Sequence, residues 1–344
     1  MYSFFQKILF SLDAEKAHKA ALKSLAAAHC LGLDKIAAPA PLSAPCRVMG
    51  LDLPNPVGLA AGLDKNGEYI DALSALGFGF LEVGTVTPKP QAGNPKPRLF
   101  RIPEQQAVIN RMGFNNHGID ALIANVKKAK YRGILGINIG KNAITPIERA
   151  VDDYVICLEK AYAHASYITV NISSPNTQNL RSLQQEDELS ALLSVLKNKQ
   201  NELADQHGRY VPLAVKIAPD LDESQIAAAA NVIRACKIDG VIATNTTIDK
   251  SSLGNHPLAQ EAGGLSGKPL REKADAVLQT LSGCLNPSGE EEIPIIGAGG
   301  IASGADAVAK LDKGARAVQL YSAMVYQGPP LIHECVRAIA QRKA

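Results

Sequence analysis

The chain has 344 residues, 46% of them hydrophobic and 20% charged, enough to bury one large core and within the range of single-domain α/β barrels. Thirty-six basic residues stand against 33 acidic ones, a formal charge of +3, too small and too scattered for a nucleic-acid groove, so no nucleic-acid partner is expected. The six cysteines (Cys30, Cys46, Cys157, Cys236, Cys284, Cys335) lie far apart with no CxxC pair, which excludes a disulfide scaffold and fits a reducing compartment.

Residues 1–36 differ from the rest. Phe4, Phe5, Ile8, Leu9 and Leu12 fall on one helical face. After a turn at Asp13 to Glu15 come Ala20, Leu22, Leu25 and Ala28, with lysines interspersed. An apolar-faced helical hairpin with basic residues suits a membrane surface; packing of the same face onto the following domain is the alternative. No stretch approaches the ~20 apolar residues of a spanning helix, and the start lacks a signal-peptide pattern, so the chain is expected to be neither transmembrane nor secreted. The Pro/Ala-rich stretch AAPAPLSAP at 37–45 blocks helix continuation and marks a boundary, leaving 46–344 as the main domain.

Eight short β-branched or apolar runs follow: 57–61, 78–86, 135–140, 166–174, 212–218, 240–246, 293–299 and 317–323. Between most of them lie segments with apolar residues at helical spacing, such as DALSALG, SALLSVLKNKQNELADQ and ESQIAAAANVIRACK. Alternating strands and helices, with strands too apolar to face water, predict an α/β fold with a parallel sheet buried on both sides. Eight units favour a closed (β/α)8 TIM barrel; a doubly wound open sheet is the alternative that periodicity leaves open. The segment LNPSGEEEIP before the seventh run has no functional account.

A barrel of this kind works at the carboxyl ends of its strands, and polar residues gather at all eight. Asp64 and Lys65 follow the first run, Thr85 ends the second, Asn138 and Lys141 the third, and Asn171, Ser173, Ser174 and Asn176 the fourth. Lys216 lies in the fifth, Thr244, Asn245 and Thr246 close the sixth, Gly299 and Gly300 the seventh, and Tyr321 and Ser322 the eighth. Any one of these is explained by a cap or turn; all eight together point to a site.

Three glycine-rich turns, GAGGIASGADA, LYSAMVYQGPP and EAGGLSGKPL with Gly267, offer backbone donors where barrels hold a phosphate. No GxGxxG follows the first strand, against a dinucleotide domain. Lys216 inside an apolar strand must neutralise something. Its partner is either the anionic edge of a reduced flavin or a buried acid, for which Asp220 is the only neighbour in sequence. Asn110, Asn171, Asn176 and Asn245 each offer a donor and an acceptor, as a cyclic imide such as a pyrimidine requires, although asparagine also favours turns. The seven histidines form no HExxH or other ligand spacing and no GxSxG elbow is present, so neither a metal nor a hydrolase triad is expected.

Taken with GLAAGLDKNGE, EVGTVTPKPQAGNPKPRLFR, NRMGFNN, NISSPNT, KIAPDL, TNTT, GGLSGKPL, GAGGI and QLYSAMVYQGPP, the chain resembles a class 2 dihydroorotate dehydrogenase, in family order across nearly its whole length. The resemblance implies FMN at the barrel mouth, oxidation of dihydroorotate to orotate in pyrimidine (UMP) synthesis, and a membrane quinone as acceptor. It also implies a monomer attached peripherally to the cytoplasmic face of the inner membrane. It implies flavin contacts from Ala61, Gly62, Leu63, Asp64, Lys65, Thr85, Asn138, Asn171, Lys216, Thr244, Gly267, Gly299, Gly300, Tyr321 and Ser322. Substrate contacts fall on Lys65, Asn110, Arg111, Met112, Gly113, Phe114, Asn171, Asn176, Asn245 and Thr246. Ser174 takes the family's base position, with Thr177 and an ordered water as relay and Phe114 as shield. Arg101 matches a quinone-side arginine. Two rivals are a soluble flavin dehydrogenase using fumarate or NAD, which predicts cysteine at position 174, and a non-catalytic phosphate-binding barrel. Ser174 and residues 1–36 stand against both.

Overall fold

The computed structural model describes residues 6–7, 9–33, 43–286 and 293–342. Phe4, Phe5, Ile8 and most of the Pro/Ala-rich boundary lie outside them, as does most of the segment before the seventh run. Helical residues 6–7 and 9–10 precede helix α1 (Ala14–Cys30), whose start is fixed by Asp13, the side chain of which accepts from the N–H groups of Glu15 and Lys16 at 3.1 and 3.0 Å.

Strands β1 (Cys46–Val48) and β2 (Leu51–Leu53) form an antiparallel hairpin. Its two turn residues, Met49 and Gly50, both have positive φ, as a tight hairpin turn demands. The next elements are β3 (Val57–Leu59), α2 (Ile70–Ser74) and β4 (Phe80–Val86). Two antiparallel strands, β5 (Leu99–Ile102) and β6 (Ala107–Asn110), lead into α3 (Ile119–Lys128). Strand and helix then alternate: β7 (Ile134–Ile139), α4 (Ala150–Tyr162), β8 (Tyr167–Asn171), α5 (Glu186–His207), β9 (Leu213–Ile217), α6 (Glu223–Ala235) and β10 (Gly240–Ala243). After β11 (Gly264–Gly267) come α7 (Arg271–Leu285), β12 (Ile295–Ala298), α8 (Gly304–Asp312), β13 (Ala315–Leu320), α9 (Ser322–Gln327) and α10 (Pro330–Arg342).

Strands β3, β4, β7, β8, β9, β10, β12 and β13 pair in parallel in that order, and β13 pairs back onto β3. The barrel is closed, and each of the eight expected runs supplies one strand. The strands are buried on both faces, which is why the runs read as continuous apolar sequence. Leu81, Val83, Ile168, Val170, Leu213, Val215 and Ile217 point outward into the core shared with the helices. Phe80, Tyr167, Ala214, Ile242, Ile296 and Ala317 point inward and form the barrel floor with Val48 and Leu53 of the hairpin. Gly58 and Gly136 make room for the two floor rings: a Cβ there would sit 2.3 Å from the Phe80 ring and 2.2 Å from the Tyr167 ring.

Helix α1 lies against the barrel and is tied to it by a buried ion pair. Arg98 Nε and Nη2 donate to the Glu15 carboxylate at 3.0 and 2.9 Å. Leu22 and Leu25 turn inward and Lys16, Lys19 and Lys23 outward. The apolar face thus covers the barrel and the basic face meets solvent, which is the packing alternative for residues 14–30. The Arg98 hydrogen bonds hold the Glu15 carboxyl below its usual range. Its contribution to docking is therefore complete above the ordinary carboxylate range and fades as the pH falls through the depressed value. Glu15→Ala leaves Arg98 with only the carbonyls of Ala92 and Asn94. It is expected to weaken α1 docking by about 3 kcal/mol, read as faster amide exchange across residues 14–30. Unchanged exchange would show that the pair does not hold the helix.

Candidate active site

Above the apolar floor the inward positions become polar. Glu82, Asn138, Thr169, Lys216 and Gln319 fill the middle of the barrel, all of them buried. Above them the strand ends and following loops enclose a cavity lined by Ala61, Gly62, Lys65, Thr85, Asn171, Lys216, Thr244 and Tyr321, among others. Burial draws the Lys216 ammonium below its usual value, and the charge that opposes this is Glu82. Asp220, the acid adjacent in sequence, is engaged elsewhere: it pairs with Arg181 at 2.7 Å and Lys273 at 3.1 Å. Asp220, which the sequence offered as the acid beside Lys216, is therefore not its partner. Among the described residues no ion pair or hydrogen bond occupies the Lys216 ammonium, which faces the cavity.

At one end of the cavity, Ser266, Gly267, Gly299, Gly300, Ser322 and Ala323 converge. Gly267 and Gly300 have φ of +95° and +77°, conformations that turn backbone N–H groups toward a ligand and that side chains resist. Two loops and the start of α9 thus offer backbone donors of the kind that hold phosphates in barrels. Elsewhere on the wall Lys65, whose ammonium is drawn down to about 8 by burial, donates to the Gly62 carbonyl at 2.7 Å. The Thr246 hydroxyl is buried without a hydrogen-bond partner among the described residues and belongs to the cavity wall. An anion nest, an unneutralised buried lysine and an orphaned hydroxyl fit a phosphorylated ring cofactor with a polar substrate stacked beside it.

Ser174 lines this cavity, and its Oγ accepts from the Asn176 N–H at 3.2 Å. Asn176 Nδ2 donates to Asn110 Oδ1 at 3.2 Å, which joins the serine loop to the end of β6. A second chamber on the other side of the loop is lined by Ser174, Thr177, Arg181 and Gln184, and the Thr177 hydroxyl is buried without a partner among the described residues. Arg181 fastens the loop: Nε donates to the Ser173 carbonyl at 3.0 Å, Nη1 to Asp220 at 2.7 Å and Nη2 to the Thr246 carbonyl at 2.8 Å. One guanidinium thus ties the loops after β8, β9 and β10. Phe114, held at a φ of 52°, closes the wall beside Gly140 and Thr85.

An apolar channel reaches the same cavity from the N-terminal helices. Leu9, Phe10, Ala17, Ala21, Leu22 and Leu25 form one wall and Leu63, Leu73 and Met324 the other. His18, Leu99, Val108 and Tyr321 line both spaces, so they meet there. Burial drives His18 down to about 4, leaving the imidazole neutral at ordinary pH, and pushes the Tyr321 phenol up to about 12. Arg101 also lines the channel. Its guanidinium sits 4.6 Å over the Phe10 ring and donates to the carbonyls of Leu9 at 3.1 Å, Phe10 at 3.4 Å and Leu12. Arg101 therefore caps the end of the first helical segment. Leu12, Leu31 and Leu33 are exposed nearby in sequence, and no helix among the described residues is long and apolar enough to cross a membrane.

Most expected site residues meet in the main cavity, and five do not. Leu63 lies on the channel side. Asp64 accepts from the N–H groups of Glu68 and Tyr69 at 3.0 and 2.7 Å and shapes the loop after β3. Asn138 sits one layer below, bonded to Glu82 and Thr85. Arg111 turns away from the cavity to Glu261 at 2.6 Å and stacks 4.7 Å over Phe100. Thr177 faces the second chamber. His18, Ser266, Gln319 and Glu82 were not expected. Glu82 and Gln319 carried the same signal as Lys216, a polar residue within an apolar strand.

A family model described as dihydroorotate dehydrogenase matches residues 43–342. A relative from Neisseria meningitidis serogroup C, named dihydroorotate dehydrogenase (quinone), is 65% identical over 341 residues, 99% of this chain and 100% of the relative. One of the same name from Chromobacterium violaceum is 62% identical over 99% of this chain and 98% of its own. The solved structure of the Eimeria tenella enzyme with ferulenol superposes with a TM-score of 0.84 at 34% identity, covering 94% of this chain and 90% of that one. A full-length match of this kind, on a closed barrel with a polar mouth and an apolar side channel, leaves one assignment: the chain belongs to the dihydroorotate dehydrogenase family, alongside its quinone-dependent members.

Proposed function

We propose that the chain oxidises (S)-dihydroorotate to orotate with FMN as its prosthetic group and a membrane quinone as electron acceptor, in pyrimidine synthesis at the cytoplasmic face of the inner membrane. The single observation that carries the reading is the junction of two unlike spaces at His18 and Tyr321, a polar cavity at the barrel mouth and an apolar channel under α1. A water-soluble ring and a long-tailed apolar acceptor each have a place, and both reach the same point.

Bound here, FMN would supply an acceptor for the hydride that leaves substrate C6 and a donor of electrons to the quinone. The residues suited to hold it are Gly267, Gly300 and Ser322 around the phosphate, and Lys216, Thr85 and Asn171 along the ring. Asn110, Asn176 and Asn245 present amides to the substrate ring, and Lys65 a cation to its carboxylate. Ser174 removes the proton from C5 and passes it toward the Thr177 hydroxyl, while Phe114 excludes bulk water. The relay accounts for a serine in this role, since an alcohol holds a proton only in passing. The outward lysines of α1 and the exposed leucines fit peripheral attachment to an anionic lipid surface.

The test is a visible spectrum of the detergent-purified protein before and after anaerobic dihydroorotate, followed by a ubiquinone analogue. An oxidised-flavin band that bleaches with substrate and returns with quinone supports the whole reading. A band unmoved by dihydroorotate rejects the substrate, a bleached band that quinone cannot restore rejects the acceptor, and no band rejects the cofactor.

A further inference from the structure

Glu82 is fully buried at the centre of the barrel, beneath the cavity. Both its oxygens accept: Oε1 from Asn138 Nδ2 at 2.8 Å, and Oε2 from the Tyr167 hydroxyl at 2.9 Å, Gln319 Nε2 at 2.8 Å and Thr169 Oγ1 at 3.1 Å. A carboxylate that only accepts leaves its neighbours no choice of orientation, because each must present a hydrogen. An asparagine side chain is a fork with a donor on one prong and an acceptor on the other. Fixing one prong fixes the other.

The consequence travels up the strand ends. Asn138 gives Nδ2 to Glu82, so its Oδ1 points toward the cavity layer, where it accepts from Thr85 Oγ1 at 2.6 Å and Asn171 Nδ2 at 3.2 Å. Asn171 Nδ2 also donates to Thr85 Oγ1 at 2.9 Å. Asn171 must then offer Oδ1 to the next rung, which accepts from Ser173 Oγ at 3.2 Å and Asn245 Nδ2 at 3.3 Å. Asn245 in turn accepts the Thr246 N–H through Oδ1 at 2.8 Å. The chain runs in one direction from the buried carboxylate to three residues of the cavity wall.

We propose that Glu82 is a positioning residue that sets the donor and acceptor direction of the Asn138, Asn171 and Asn245 ladder, and through it which pattern of ring N–H and C=O groups the site accepts. Glu82 lies beneath the cavity and is not among its lining residues. Its acceptor-only character, together with the fork geometry of three asparagines, writes a polarity into the site that the asparagines alone would not have, since either orientation of a free amide has the same shape. The inference rests on the assignment of the cavity to a flavin and a pyrimidine-type substrate.

The test is Glu82→Gln, equal in size but able to offer either prong to Asn138. In the oxidised holoenzyme, dissociation constants are measured for orotate and for its 4-amino analogue, in which a carbonyl acceptor and its neighbouring N–H donor are exchanged for a donor and an acceptor. The unaltered protein is expected to favour orotate by about a hundredfold or more, because a mismatched edge leaves buried groups unpaired. Glu82→Gln is expected to narrow that ratio by about tenfold. The double variant Glu82→Gln with Asn138→Asp moves the acceptor-only group one rung up, so that the carboxylate introduced there still accepts from Thr85 and Asn171, and is expected to recover the ratio. A ratio unchanged in Glu82→Gln overturns the proposal, as does a double variant that folds and stays undiscriminating. If Glu82→Gln alone does not fold, the double variant decides. Failure of the unaltered holoenzyme to bind orotate rejects instead the functional reading beneath the proposal, while intact binding with an unchanged ratio rejects the role of Glu82 alone.

Discussion

Ser174→Ala is expected to keep its flavin and slow flavin reduction by dihydroorotate by about 10²–10⁴-fold, the usual worth of a general base. The variant removes one hydroxyl whose protein partner is the Asn176 N–H, and it leaves the Arg181 contacts to Ser173 and Thr246 in place. The loop therefore keeps its position and loses only its proton acceptor. Stopped-flow reduction under anaerobic conditions isolates this step, and reoxidation of the chemically reduced variant by quinone is expected at the unaltered rate. Ser174→Cys is expected to restore part of the lost rate, since a thiol at the same place can take a proton. Reduction of Ser174→Ala at full speed would move the base elsewhere, with the orphaned Thr177 hydroxyl the first place to look.

Which parts of this architecture were readable from sequence follows from burial. The barrel strands bury both faces, and FLEVGTV, YITVN and LAVKI declare themselves as apolar runs. Closure was favoured by the count of eight units but not fixed by periodicity, because the pairing of β13 with β3 joins Val318 to Val57 across most of the chain. The antiparallel sheet of β5, β6 and β11 left no pattern either. Leu99–Ile102 and Ala107–Asn110 are short, and Gly264–Gly267 is half glycine, so no period-two alternation develops. That sheet sets Asn110 opposite Gly264 and carries Gly267 to the phosphate nest, which explains how three distant loops meet at one rim.

The site divides along the same line. Residues at strand ends were legible because position alone gives them a role in a barrel. Lys216 was legible because a charge inside an apolar strand calls for an opposing one; the sequence neighbour Asp220 is engaged elsewhere, and Glu82 of β4 opposes the burial of the ammonium without forming an ion pair with it. The same logic applied to Glu82 and Gln319 finds the buried layer beneath the cavity. Arg111 was not legible in direction: it lies between cavity residues Asn110 and Met112, yet strand alternation turns it outward to Glu261.

Removing residues 1–36 is expected to abolish turnover with a long-tailed quinone while leaving flavin reduction by dihydroorotate intact. Leu9, Phe10 and the inward face of α1 form one wall of the channel, whereas the cavity that holds Ser174, Asn110 and the phosphate nest is lined, among the described residues of that segment, by His18 alone. The deletion also strips Arg98 of its carboxylate partner, so a channel variant is needed beside it. Ala21→Trp supplies one: Ala21 is half-buried on α1 and faces the channel, and an indole there narrows the passage while Glu15 and its pair with Arg98 are kept. It is expected to lower kcat/KM for the long-tailed quinone by about tenfold or more, the equivalent of about 1.4 kcal/mol of lost binding, with no change for a small soluble dye that takes electrons at the flavin edge. A parallel loss with quinone and dye would indicate a disturbed flavin site. Undiminished quinone turnover in both variants would mean that electrons leave the flavin through some other face of the barrel, and the apolar channel would then be only the packing seam of α1.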